Sequence, residues 1–230
     1  ILLGLAPCTA MVLVWTYLAG GNINYALVQV AINDLFILFL FAPMGKLLIG
    51  VSTGFPVPFS TIFWSVVFYV AIPLVLAVIT RRLVTRSKGE KYLNESLIPK
   101  FDPFTKVGLL LTLVLVFMFQ GKTIIDNPLH ILLIALPLMI QTYLIFYIGY
   151  FAVKRFKIDY AEAAPSTFIG ASNFFELSIA VALILFGMDS GAALATVVGV
   201  LVEVPVMLSL VAIMKKKREL FEFSRGGTKS

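Results

Sequence analysis

Charge is scarce in this sequence. Only 13% of its 230 residues are Asp, Glu, Lys or Arg, against roughly 25% in an ordinary soluble domain. With 60% hydrophobic residues and a mean hydropathy of +1.00, this excludes a water-soluble globule and points to a polytopic membrane protein. Cysteine is scarcer still. Cys8 stands alone, so neither an intramolecular disulfide nor a multi-cysteine metal cage can form. There is no Gly-rich phosphate loop, zinc-ligand cluster or Ser-His-Asp arrangement, so no enzyme and no cofactor are predicted. The net charge of +6 does not signal a nucleic-acid partner, because the basic residues sit in short clusters between apolar runs. The partner this pattern fits is the lipid bilayer. No initiator Met, charged leader or cleavage site precedes the first apolar run. The expectation is a first span that is not a signal peptide, in a chain whose N-terminal part is missing.

A spanning helix needs about 20 mainly apolar residues. Seven runs qualify: 2–19, 26–50, 59–80, 104–121, 129–152, 163–187 and 190–214. Runs this long are not barrel strands and show no alternation, so the predicted fold is all-α. Three segments, 81–106, 154–157 and the tail from 215, hold 16 of the 18 basic residues; only Lys46 and Lys122 fall elsewhere. With seven spans those segments share one side, which the positive-inside rule makes cytoplasmic, together with the C-terminus. Residues 81–106 are expected to form a basic loop at the headgroups, and 215–230 a tail disordered beyond its first turn.

Two spans carry signs of a break. Pro7 and Gly4 interrupt the first, next to Cys8, and Pro165, Gly170, Ser172 and Asn173 crowd the sixth ahead of Glu176. Each broken span is followed by one with a buried acid, Asp34 after the first and Glu203 after the second. Cys8 and Asp34 are 26 residues apart, Glu176 and Glu203 are 27, and the two pairs cross in opposite senses. Paired discontinuous helices of inverted topology are the pattern of secondary transporters, and they point to the transport site.

An acid in a span needs a reason, since burying its charge costs several kcal/mol. Asn173 lies three residues before Glu176, so on a helix the two share a face. Hydrocarbon burial and a restarted helix N-terminus act on such a carboxyl in opposite senses, which suits a group that gains and loses a proton. For Cys8 the bland alternative is a small packing residue. For Asp34 and Glu203 it is capping of backbone groups freed by the breaks, or pairing with a partner such as Asn33. His130, Trp15 and Trp64 fit interfacial or packing roles.

"APCTAMVLVW" followed by "LVQVAINDLF", and "GASNFFELSIAVALILFG" followed by "SGAALATVVGVLVEVPVMLSLV", closely resemble the arsenite efflux permeases of the arsenical-resistance-3 family, within the bile acid:sodium symporter superfamily. The resemblance spans essentially the whole chain. It implies ten helices in two inverted five-helix repeats, with this chain starting at the fourth. Residues 1–214 would then form the membrane domain, 1–50 closing the first repeat and 59–214 making the second. It also implies that the family's essential cysteine falls on Cys8 and its essential glutamate on Glu176. The implied activity is export of arsenite, with antimonite as a similar cargo, across the plasma membrane in exchange for protons. Arsenite at neutral pH is mostly neutral arsenous acid with a thiol-seeking centre. A single thiol can bind and release it, where three would hold it too tightly. Cys8, Glu176 and Asn173 would contact substrate, Glu176 would carry the proton, and Asn33, Asp34, Ser172 and Glu203 would support them. The alternatives are a sodium-coupled organic-anion symporter, with Ser172, Asn173 and Glu176 around the cation, and a seven-helix receptor, which the broken helices fit poorly.

Overall fold

Proline decides where many of these helices stop or change register. The computed structural model describes residues 1–53, 58–126, 128–188 and 190–221. Among the described residues every regular element is helical. The run 2–19 is two helices, α1 (Leu2–Leu5) and α2 (Met11–Ala19). Ala6 precedes Pro7, whose ring disfavours the helical region for the residue before it, and Ala6 is extended at φ −122° and ψ 105°. α2 ends at Gly20, whose left-handed φ of 72° lets its N–H bond the carbonyls of Thr16 and Tyr17 at little steric cost. α3 (Ile23–Thr53) follows as one long helix.

α4 (Phe59–Val66) and α5 (Ile72–Tyr92) are joined by a π-helical turn at Val67–Ala71. A second π turn, Leu93–Leu97, leads into α6 (Ile98–Asp126). Each π turn ends two residues before a proline, Pro73 and Pro99. Proline cannot donate the regular helical hydrogen bond, and a register change there absorbs the loss. The stretch 81–106, expected as a loop, is therefore helical, apart from Gly89 at φ 81° and ψ 164°. The reason lies in its composition: Arg, Leu, Lys and Glu are strong helix formers even where they bury nothing. Its ion pair, Arg81 to Glu90 at 3.8 Å, is exposed and adds little.

α7 (Pro128–Arg155) precedes the second broken span, which is α8 (Tyr160–Ala171) and α9 (Phe175–Phe186). α10 (Gly191–Lys216) starts from Ser190, whose hydroxyl accepts from the Ala193 N–H. A 3-10 turn, Arg218–Phe221, ends the described chain. It buries Phe221 completely, edge-on to Tyr150 at 5.1 Å, so the start of the tail is docked. Residues 222–230 lie outside the described residues.

Among the described residues, four stretches are long and apolar enough to cross a membrane, against seven expected: Ile23–Val51, Phe59–Tyr92, Pro128–Arg155 and Gly191–Lys216. The chain is an all-α, multi-pass membrane protein. Large apolar side chains such as Phe36, Phe39, Phe68, Leu132 and Phe151 point outward, as lipid-facing surface does. Inside, one apolar cluster joins α2, α7, α8 and α10 around Trp15, Phe146, Phe168 and Met207. A second joins α1, α3, α4 and α9 around Phe41, Ile62 and Leu177. Leu3 links α1 to α9 and α10 through Phe175 and Val200, and a Cβ on Gly199 would stand only 2.8 Å from Leu3 Cδ1.

Candidate functional site: the crossing of two broken helices

Backbone groups freed at a break inside hydrocarbon must find partners. Here the two breaks supply each other. Ser172 is extended, at φ −93° and ψ 145°, and Asn173 pairs with Pro7 as an isolated antiparallel bridge. The Cys8 N–H donates to the Ser172 carbonyl at 2.8 Å, and the Phe174 N–H to the Ala6 carbonyl at 2.7 Å. The crossing is thus a two-hydrogen-bond patch of sheet held between helices.

Side chains finish what this patch leaves open, and they do so with matched polarity. The first break presents a carbonyl, Pro7 O, and the Asn33 amide on α3 donates to it at 3.2 Å. The second presents donors. The Ser172 hydroxyl donates to Glu203 Oε1 on α10, and the Asn173 N–H donates to the same oxygen at 3.3 Å. Ser178 on α9 lies 3.1 Å from the Leu2 carbonyl and 3.0 Å from the Phe174 carbonyl, tying α9 to α1. On the other side the Cys8 sulfur accepts the Met11 N–H at 3.1 Å, one of the otherwise unpaired donors in the first turn of α2.

The structure brings most of the predicted site residues together. Cys8, Ser172, Asn173 and Glu203 are buried, Cys8 only 2% exposed. Glu176 is half-buried in the first turn of α9. Two expectations change. Asn173 is extended, one residue outside α9, so it shares no helical face with Glu176; the helix restarts at Phe175. Nor is Asp34 the counterpart of Glu203. Asn33 reaches the break, while Asp34 Oδ1 is buried with no hydrogen-bond partner among the described residues. Ser178 was not anticipated. Its signal is its place four residues after Phe174, where a hydroxyl can fold back onto a carbonyl at a helix start. His130 is exposed near the start of α7 and Trp64 is 54% exposed, whereas Trp15 packs at 2%.

Residues 1–127 match the model of the sodium bile acid symporter family. The chain belongs to that family. The matched stretch carries the first break with Cys8 and Asn33. The second break falls within the span shared with individual relatives. Over 221 residues, 96% of this chain, it is 53% identical to "Arsenical-resistance protein Acr3" of Alkaliphilus metalliredigens (strain QYMF). It is 53% identical over 216 residues to an uncharacterized transporter of Synechocystis. It is 36% identical over 222 residues to "Arsenical-resistance protein Acr3" of Corynebacterium glutamicum. The chain spans 62%, 56% and 60% of the lengths of these relatives, in that order. The family is one of transporters.

Proposed function

We propose that the protein exports arsenite, and the similar antimonite, across the plasma membrane in exchange for protons. The observation that carries this reading is the placing of the chain's one thiol at the crossing, with Glu203 bonded into the same patch and Glu176 in the helical turn that follows it. Arsenous acid reaching Cys8 would exchange one hydroxyl for sulfur. An S–As bond forms, an As–O bond breaks, and the thiol proton leaves with the hydroxyl as water; the reverse step releases the cargo. One thiol permits that reversal. Asn173, in the same patch, is the substrate-side polar contact. Glu176, half-buried where α9 restarts, is the group proposed to take a proton from outside and release it to the cytoplasm. Ser172, Asn33 and Glu203 hold the crossing in shape, and Asp34 is a half-buried carboxyl one residue beyond Asn33. The clustering of basic residues supports a cytoplasmic C-terminus. The two break-plus-span units, α1 to α3 and α8 to α10, support an inverted repeat.

The test is ion dependence in vesicles reconstituted with the full-length chain. Uphill arsenite transport should persist without sodium and collapse when an ionophore dissipates the proton gradient. Transport that follows sodium and ignores the proton gradient would return the protein to the sodium-coupled reading that its family name carries.

A further inference from the structure

A line of polar side chains runs between α3 and α8 and meets the crossing at Asn33. On α3 and the turn before it, Asn22, Gln29 and Asn33 are spaced seven and four residues apart, which puts them on one helical face. On α8, Glu162 and Ser166 are four apart and likewise share a face. The two rows meet. Asn22 Nδ2 donates to Glu162 Oε1 at 3.4 Å. Gln29 Nε2 donates to Ser166 Oγ at 2.7 Å, and Ser166 in turn donates to the Glu162 carbonyl at 2.7 Å. Asn33 then reaches Pro7 O, one residue from Cys8.

The backbone is adapted to this seam. Pro165 lacks the N–H that would bond the Ala161 carbonyl within α8, and the Asn22 N–H takes that carbonyl instead at 2.7 Å. Gly21 lets the turn approach. A Cβ there would meet Thr16 Cγ2 at 3.0 Å, Pro165 Cδ at 3.1 Å and Ala164 Cβ at 3.2 Å.

The seam holds more polar atoms than it pairs: Gln29 Oε1, on the α3 row, is buried without a hydrogen-bond partner among the described residues. Buried polar atoms are almost always bonded, to protein or to ordered water. From Asn22 to Asn33 is 11 residues, a rise of about 16 Å, roughly half of a hydrocarbon core about 30 Å thick. The far end, at Asn22 and Glu162, is half-buried and lies within a few residues of the basic end of α7, Lys154 and Arg155.

We infer that the α3–α8 seam is a hydrated half-channel that conducts protons between the cytoplasm and the carboxyl groups at the crossing, with Glu162 at its mouth and Gln29 and Ser166 as positioning residues along it. This rests on the proton-coupled reading above and goes beyond it by naming the proton's route. Glu162 is the one ionisable side chain of the two rows, so the amides and the Ser166 hydroxyl orient water and the water carries the proton; such water is tolerated at membrane depth where protein polar groups line it.

The test uses Gln29→Leu and, separately, Ser166→Ala in the full-length chain in reconstituted vesicles, measured in two modes. Arsenite–arsenite exchange needs no net proton movement; proton-driven uphill transport does. Both variants should keep exchange within about twofold while uphill transport falls about tenfold or more, and Gln29→Glu should recover much of the loss. Equal losses in both modes would reduce the seam to a packing feature. Unchanged uphill transport in both variants, with the parent still proton-driven, would overturn the seam alone. A parent that ignores the proton gradient would overturn the coupling reading and the seam's role together.

Discussion

Replacing Glu203 by Leu should destabilise the protein more than removing a buried acid normally does. A buried carboxyl exchanged for a well-packed apolar side chain is often neutral, provided its partners are removed with it. Here they stay. The Ser172 hydroxyl and the Asn173 N–H both donate to Glu203 Oε1, and both residues are buried. Each stranded donor costs about 1–3 kcal/mol, so the pair costs about 2–6 kcal/mol. Glu203→Gln keeps an acceptor oxygen on an arm of the same length and should cost about 1 kcal/mol or less. At roughly 2–4 °C per kcal/mol for a chain of this size, the Leu variant should melt about 4 °C or more below the parent and at least about 2 °C below the Gln variant. The assay is built into the sequence. Cys8 is the one thiol of these 230 residues and is buried, so, with any cysteine outside them replaced, a fluorogenic maleimide reports unfolding as that thiol becomes reactive. Equal melting temperatures for Leu and Gln would mean that Glu203 does not hold the second break together.

Three further outcomes follow from the same geometry. Cys8→Ser keeps an acceptor for the Met11 N–H, so the variant should insert and melt normally by intrinsic fluorescence yet lose arsenite efflux; normal arsenite resistance in cells would make Cys8 a packing residue. Asn33→Asp sets an acceptor against the Pro7 carbonyl and should cost about 1–3 kcal/mol more than Asn33→Ser, which keeps a donor, in the same melting measurement. Single cysteines at Arg86, Lys157 and Lys216 in a Cys8-free background should resist an impermeant reagent in intact cells, and labelling of any one would overturn the topology.

Four of the seven expected spans, 26–50, 59–80, 129–152 and 190–214, were legible because length and apolarity are local properties. So were the breaks, since Pro7 is itself the cause of the first and the Ser172–Asn173 pair marks the second. What escaped was pairing. Adjacent residues on a helix point about 100° apart, so the choice of Asn33 over Asp34 as the residue that reaches Pro7 depends on the rotation of α3 against α8 and α2, which no local pattern fixes. Asn173 was assigned to a helix because a spacing of three reads as a shared face; the structure instead uses it to make a strand-like bridge with Pro7, a contact across 166 positions. The stretch 81–106 misled in the other direction. Its polarity resembled a loop, but helix propensity and two register shifts at prolines keep it helical.

The account turns on a carboxyl at the crossing that cycles a proton as arsenite moves, and Glu176 tests it most directly. Glu176→Gln keeps shape and hydrogen-bonding capacity but cannot carry a proton, whereas Glu176→Asp keeps the titratable group on a shorter arm. In reconstituted vesicles with an imposed proton gradient, the Gln variant should exchange arsenite yet accumulate none uphill, and the Asp variant should retain partial uphill transport. Full uphill transport by the Gln variant would contradict the account and move the search for the proton carrier to Glu203 and Asp34.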